Sequence, residues 1–150
     1  YQSKRSSNKV IAGLQTAGEK VGLMAPDENT LVKRVIATEG QTVQCRKGDP
    51  GIMVNGKKVD DSYTMNPPVN PIDTTRGSRE CQGNYFGPIT VPDDSLWMMG
   101  DNRTNSFDSR GHMGDQFQGT IPVDNVVGRV ESIVLPFSRI GGVDSLPIQQ

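Results

Sequence analysis

Eleven residues, Gly100-Asp101-Asn102-Arg103-Thr104-Asn105-Ser106-Phe107-Asp108-Ser109-Arg110, bring together two Asp, two Arg, two Ser and two Asn directly after the apolar run Leu96-Trp97-Met98-Met99. A hydrophobic strand that empties into such a loop has the makings of a strand-end site, because reactive groups tend to sit on loops held by a rigid scaffold. The density of hydrogen-bonding side chains argues against a merely solvated turn. Asp108 and Arg110 stand two apart, so in extended backbone they share a face and can brace the loop. A calcium loop fails on spacing. Arg103 occupies the third position, where a ligand oxygen is needed, and the required Gly and terminal Glu do not align.

The second chemical signal is Lys33, in the β-branched run Leu31-Val32-Lys33-Arg34-Val35-Ile36. Strand alternation puts Leu31, Lys33 and Val35 on one face and Val32, Arg34 and Ile36 on the other. If the first face is core, Lys33 is desolvated, and desolvation favours the neutral amine that a general base requires. The alternative is an edge lysine facing water, where it discourages aggregation. Arg34 points away from Lys33 and is expected to pair with a carboxylate on a neighbouring strand, Asp101 being the candidate. His112 is a lone imidazole with no Asp or Cys partner placed by spacing, so a Ser-His-Asp triad is disfavoured.

Short strands must position these groups. Leu31–Ile36 and Thr42–Cys45 read as strands around the Glu39-Gly40 turn. Ile52–Val54 and Lys57–Val59 flank Asn55-Gly56, a hairpin signal because a type I′ turn needs positive φ at both central residues. Further strands are expected at Ile89–Val91, Leu96–Met99 and Val126–Leu135, with Gly119–Pro122 leading into the last. Val10, Ile11, Leu14 and Ala17 fall at helical spacing and predict one short helix over residues 8–19, followed by a turn at Pro26–Asn29. Residues 61–84, rich in Pro, Asn, Asp and Gly, read as a long insertion, and the tail from Gly141 as loose. With 17 Gly and 10 Pro in 150 residues, the expected fold is mainly β, with antiparallel strands in a folded or barrel-like sheet and a single domain over 1–150.

Composition removes several classes of function. A net charge of −1 gives no electrostatic case for nucleic acid. No run approaches the 18 or so apolar residues of a membrane-spanning helix. The two cysteines, Cys45 and Cys81, and the single His cannot form a zinc site without several carboxylates, so neither metal nor cofactor is expected. The cysteines are unpaired core residues in a cytosolic setting, or a disulfide in an oxidising one.

The two signals together resemble the bacterial type I signal peptidases, membrane-bound serine proteases with a lysine base. Residues 31–43 are similar to that family's K-R-x-x-x-x-x-G-x-x-V block, with Lys33 in the place of the base. Gly100–Arg110 is similar to its G-D-N-R-x-x-S-x-D-S-R block. The Val54-Asn55-Gly56-Lys57 hairpin, residues 123–129 and residues 136–141 add to the likeness, which spans about 29–141. The resemblance implies that Lys33 takes the proton from an attacking serine hydroxyl and that Ser106 orients the Lys33 amine. It further implies that Asp108 and Arg110 brace the loop, that Arg34 and Asp101 lock the two blocks together, and that Leu31 and Val32 lie along the substrate. That substrate would be an exported preprotein, bound as an added strand and cut after small residues of Ala-x-Ala type. The implied setting is the outer face of a bacterial cell membrane, held by an upstream transmembrane anchor, with the protein a monomer and Cys45 bonded to Cys81.

One part of the pattern is absent. The family's nucleophile lies in an S-M-x-P block ahead of the lysine, followed by a G-D-x-V strand, and neither occurs in residues 1–32. Leu23-Met24-Ala25-Pro26 has no serine where that block needs one. The oxyanion donors belong to the same block. The chain is therefore expected to be the C-terminal part of a catalytic domain, with residues 1–28 a variable insertion, 29–141 the family-like core and 142–150 a loose tail. The nucleophile would lie upstream, and the 150 residues alone would be inactive. A noncatalytic binding module of the same fold is the alternative. A related Ser/Lys self-cleaving repressor group lacks the Gly100–Arg110 type of loop.

Overall fold

The computed structural model describes residues 30–143. The chain divides into two compact units, Tyr1–Leu31 and Val32–Gln150, and the architecture below is that of the second. The helix expected over residues 8–19 and the turn at Pro26–Asn29 lie outside the described residues, as does most of the expected tail.

The described residues are mainly β and wholly antiparallel. Eleven strands follow in chain order: β1 (Arg34–Thr38), β2 (Thr42–Cys45), β3 (Met53–Val54), β4 (Lys57–Lys58), β5 (Gly77–Ser78), β6 (Gly83–Asn84), β7 (Phe86–Thr90), β8 (Ser95–Met99), β9 (Ile121–Pro122), β10 (Ser132–Ile133) and β11 (Gly141–Gly142). One sheet has the order β1-β8-β9 and another β4-β3-β2-β7, while β5-β6 and β10-β11 are two-stranded ribbons. The tight β3–β4 hairpin turns on Asn55 and Gly56, with φ of 49° and 78°, as a type I′ turn requires. Asn55 Oδ1 also accepts the Thr42 amide at 2.9 Å, so the turn is pinned to the start of β2. Pro122 sits in β9, at the edge of its sheet, where its missing N–H breaks no ladder.

Both larger sheets feed one core. Ile36, Ala37, Trp97 and Met99 come from β1 and β8, and Val43, Cys45, Val54, Phe86 and Ile89 from β2, β3 and β7. Phe86 stacks on Trp97 with ring centroids 5.4 Å apart, joining the two sheets. Cys45 and Cys81 form a disulfide in this core, with both residues fully buried.

Three local expectations change. The first strand is Arg34–Thr38 rather than Leu31–Ile36, because its ladder with β8 runs from the Arg34–Met99 pair to the Thr38–Leu96 pair, with a register shift between Val35 and Ala37. That bulge turns two consecutive residues, Ile36 and Ala37, into the core, so simple alternation from Leu31 does not hold. Val126–Leu135 does not form a continuous strand. Val127 is 82% exposed, and the only ladder there joins Ser132–Ile133 to Gly141–Gly142 among the described residues. An apolar pattern cannot make a strand where no neighbouring backbone supplies the hydrogen bonds. By the same pairing Gly141 and Gly142 are in a ribbon rather than a loose tail.

Replacing Cys45 and Cys81 together by Ala removes a cross-link across 36 residues of sequence and should cost about 2–4 kcal/mol of unfolding free energy, read from denaturant curves. In the unreduced protein neither thiol should react with an alkylating reagent.

Candidate active site

β1 and β8 run side by side, with Arg34 opposite Met99, so the residue before β1 and the loop after β8 leave the sheet together. Lys33 precedes β1 and is half-buried. Its Nζ donates a hydrogen bond to Ser106 Oγ at 2.8 Å across a sequence separation of 73. The next residue, Arg34, forks Asp101: Nε donates to Oδ1 at 2.8 Å and Nη2 to Oδ2 at 2.7 Å. Lys33 and Arg34 thus engage one loop at two points, although alternation assigns them to opposite faces.

The loop folds back on Asp108. This carboxylate is buried, and its Oδ2 accepts the Gly100 amide at 3.0 Å. Arg110 grips it with Nε on Oδ1 and Nη2 on Oδ2, at 2.9 and 2.8 Å, and donates its amide to Oδ1. Arg110 Nη2 also reaches the Arg103 carbonyl at 2.7 Å. Burial by itself pushes the Asp108 pKa up, but the Arg110 hydrogen bonds and charge, with the Gly100 and Arg110 amides, hold it below the ordinary carboxylate value. Asp108 also caps the 3-10 turn Ser109–His112. The buried Ser109 hydroxyl accepts the Met98 amide at 3.0 Å, which anchors that turn to β8.

Gly100 makes room for the Lys33–Ser106 bond. A Cβ added there would collide with the Ser106 side chain and lie 3.7 Å from Lys33 Nζ. Only a residue without a side chain allows Ser106 to fold over the start of the loop to Lys33.

Two contributors, Tyr63 and Asn70, carry no local signal in the sequence, and they meet the loop at Arg103 and Thr104. Arg103 is 5% exposed, and its Nη2 donates to the Tyr63 hydroxyl at 3.1 Å. The Tyr63 ring also lies under the Arg34 guanidinium, 3.9 Å from Cζ to centroid. Burial pushes the Tyr63 pKa up, against the opposing pull of Arg103 and Arg34, so the phenol stays neutral. Asn70, also in the insertion, donates through its amide and Nδ2 to Thr104. Composition marks residues 61–84 only as a loop, and nothing short of the folded chain puts Tyr63 beside Arg34.

The remaining expected residues are elsewhere. Leu31 and Val32 are 66% and 73% exposed and precede the β1–β8 ladder. His112 packs edge-on against Phe107 at 4.4 Å between centroids. A cavity of about 710 Å³ lies between the insertion, Arg103 and Thr104, but neither Lys33 nor Ser106 lines it. No cluster of His, Cys, Asp or Glu able to hold a metal ion occurs among the described residues, and none of their helices is long and apolar enough to cross a membrane.

The profile of the family described as "Signal peptidase, peptidase S26" matches residues 7–135. The chain belongs to that family. It is similar to the probable signal peptidase I of Mycobacterium leprae, with 47% identity over 100% of this chain and 55% of the relative. It is likewise similar to signal peptidase I of Mycobacterium tuberculosis, with 46% identity over 100% of this chain and 51% of the relative. The chain spans about half the length of these curated relatives. A solved signal peptidase I from Enterococcus faecalis V583 aligns over 77% of this chain and 82% of its own, at 22% identity and a TM-score of 0.44.

Asp108 supplies a pH test of the loop. Its folded-state pKa lies below the unfolded value of about 3.9, so its contribution to stability is complete above that value and is lost as pH falls through the folded pKa. Denaturant midpoints should therefore drop on acidification below about pH 4. Asp108→Asn should flatten that part of the profile and cost about 3–5 kcal/mol at neutral pH, because it leaves the Arg110 cation without its partner.

Proposed function

We propose that this chain is the base-bearing part of a membrane-associated serine endopeptidase that removes signal peptides from exported preproteins. The observation that carries the reading is the 2.8 Å bond from Lys33 Nζ to Ser106 Oγ, made by the two residues that family likeness assigns to the base and its orienter. The reaction needs a serine hydroxyl, which on this reading comes from chain upstream of Tyr1. Lys33 takes that hydroxyl's proton as the oxygen attacks the scissile carbonyl carbon. The C–N bond then breaks, the proton passes from Lys33 to the departing amine, and water cleaves the resulting ester. Ser106 accepts one N–H of Lys33 and so aims the amine, the part a third group plays in any nucleophile–base pair.

Asp101, Arg34, Asp108 and Arg110 hold the frame and touch no reacting atom. Leu31 and Val32 precede the ladder and expose their side chains, which suits a segment that accepts an extended peptide as an added strand. Small pockets beside that strand would select short side chains of Ala-x-Ala type just ahead of the cut. The oxyanion donors would come with the nucleophile from the upstream segment. On this reading an upstream anchor holds the domain at the outer membrane face, where an oxidising setting suits the Cys45–Cys81 bond.

In the full-length polypeptide, Lys33→Met should lower preprotein cleavage by about 10²–10⁴-fold or more while leaving the denaturant midpoint little changed, since the apolar stem remains. Retained cleavage would remove Lys33 from the mechanism. Gly100→Ala should cost about 10²-fold in kcat by displacing Ser106 from the amine. The purified 150-residue chain should not turn over a preprotein, and turnover would sink the upstream nucleophile.

A further inference from the structure

Residues 61–84 contribute nothing to the chemistry above, yet they hold the Gly100–Arg110 loop at four places. The Met65 amide donates to the Asp101 carbonyl at 3.1 Å. Asn70 binds Thr104 through two hydrogen bonds, at 3.1 and 2.9 Å. Arg110 Nη1 reaches the Gln82 carbonyl at 3.5 Å, one residue beyond the disulfide at Cys81. The fourth contact is Tyr63, and it differs in kind because it touches both sides of the site.

One face of the phenol carries the Arg34 guanidinium, 3.9 Å from the centroid. Its hydroxyl accepts from Arg103 Nη2 at 3.1 Å. Arg34 is the residue after Lys33 and forks Asp101, while Arg103 lies three residues before Ser106. A single ring therefore links the strand that carries the amine to the loop that carries its hydrogen-bond acceptor. Burial makes the link strong. Arg103 is enclosed, burial pushes its pKa down, and its Nε and Nη1 have no hydrogen-bond partner. A buried guanidinium deprived of the phenol oxygen is forced to move toward water, and its backbone moves with it. A cation over an aromatic face is held more firmly the less water competes for it, which applies to the shielded side of Arg34.

We propose that Tyr63, from the insertion, is a positioning residue for the Lys33–Ser106 pair, acting through Arg34 on one side and Arg103 on the other. The inference rests on the reading of Lys33 as the base. It gives the insertion a definite part: the disulfide fixes its far end to the core, and Tyr63 transmits that anchorage to the distance between amine and hydroxyl.

The test uses the full-length polypeptide and a preprotein substrate. Tyr63→Leu removes both contacts and should lower kcat by about tenfold or more with KM within about twofold, because the ring's contacts are with Arg34 and Arg103, which hold the amine and its acceptor. Tyr63→Phe keeps the ring under Arg34 and removes only the acceptor for Arg103, so it should recover part of kcat and secures a folded comparison. A readout independent of cleavage is the Arg34 Nε–H signal in NMR spectra. Its hydrogen exchange should quicken in Tyr63→Leu, in wild-type and Lys33→Met backgrounds alike. Wild-type kcat in folded Tyr63→Leu, or a loss confined to KM with Arg34 exchange unchanged, overturns the proposal. Full cleavage by Lys33→Met would overturn the reading of the base instead, and the exchange measurement would still report on Tyr63.

Discussion

The structure around the site depends on one buried carboxylate. Asp108 is 4% exposed, and a charge so placed is tolerable only with dedicated partners. Arg110 supplies two side-chain hydrogen bonds and its amide a third, while the Gly100 amide closes the ring from the opposite end of the loop. Each bond restricts a different part of the segment. With residues 100, 108 and 110 gathered at one point, the chain between them has few paths, and Ser106 is carried onto the bare Cα of Gly100. The position of a neutral hydroxyl is thus set by charges that never touch it.

The same logic extends outward through arginines. Arg34 pairs with Asp101 and Arg110 with Asp108, while Arg103 donates one hydrogen bond to a phenol and has no carboxylate within salt-bridge distance among the described residues. Arginine suits this use because its planar fork can bind a carboxylate in two places and still stack on a ring. Arg34 does both at once. Lysine in that place would keep a charge and lose the fork. The division of labour at positions 33 and 34 follows from this: a single flexible amine at one, a rigid connector at the next.

The insertion is the part whose meaning changes most with the fold. As composition it is a run of Pro, Asn, Asp and Gly, the kind of segment that tolerates change and carries no pattern. In three dimensions it meets the Gly100–Arg110 loop through Tyr63, Met65, Asn70 and Gln82, and it is closed by Cys81 in the core. A loop with such contacts has less freedom than its composition suggests, and the arrangement explains how short two-residue strands suffice there. β5 and β6 need little ladder of their own when side chains and a covalent bond supply the restraint.

Several features were legible in the chain alone. The Asn55-Gly56 hairpin, the strand at Thr42–Cys45 and the apolar strand before Gly100 depend on neighbouring residues and on backbone propensities, and these act over a few positions. The candidate site residues Lys33, Ser106, Asp101 and Asp108 stood out because their types and order matched a known pattern. What tertiary structure decided was of longer range. Lys33 lies just before the first ladder residue, so strand alternation does not set its direction relative to Arg34. The bulge at Ile36 arises from pairing with β8, some sixty positions on. Val126–Leu135 has the composition of a strand but not the partner, and a strand is a property of two backbones. Tyr63 carries no local mark at all, since its worth lies in two arginines from distant segments. Short-range forces write themselves into sequence as spacing and turn residues. Pairing, burial and the satisfaction of a buried charge depend on what the rest of the chain brings near, and only the folded molecule specifies that.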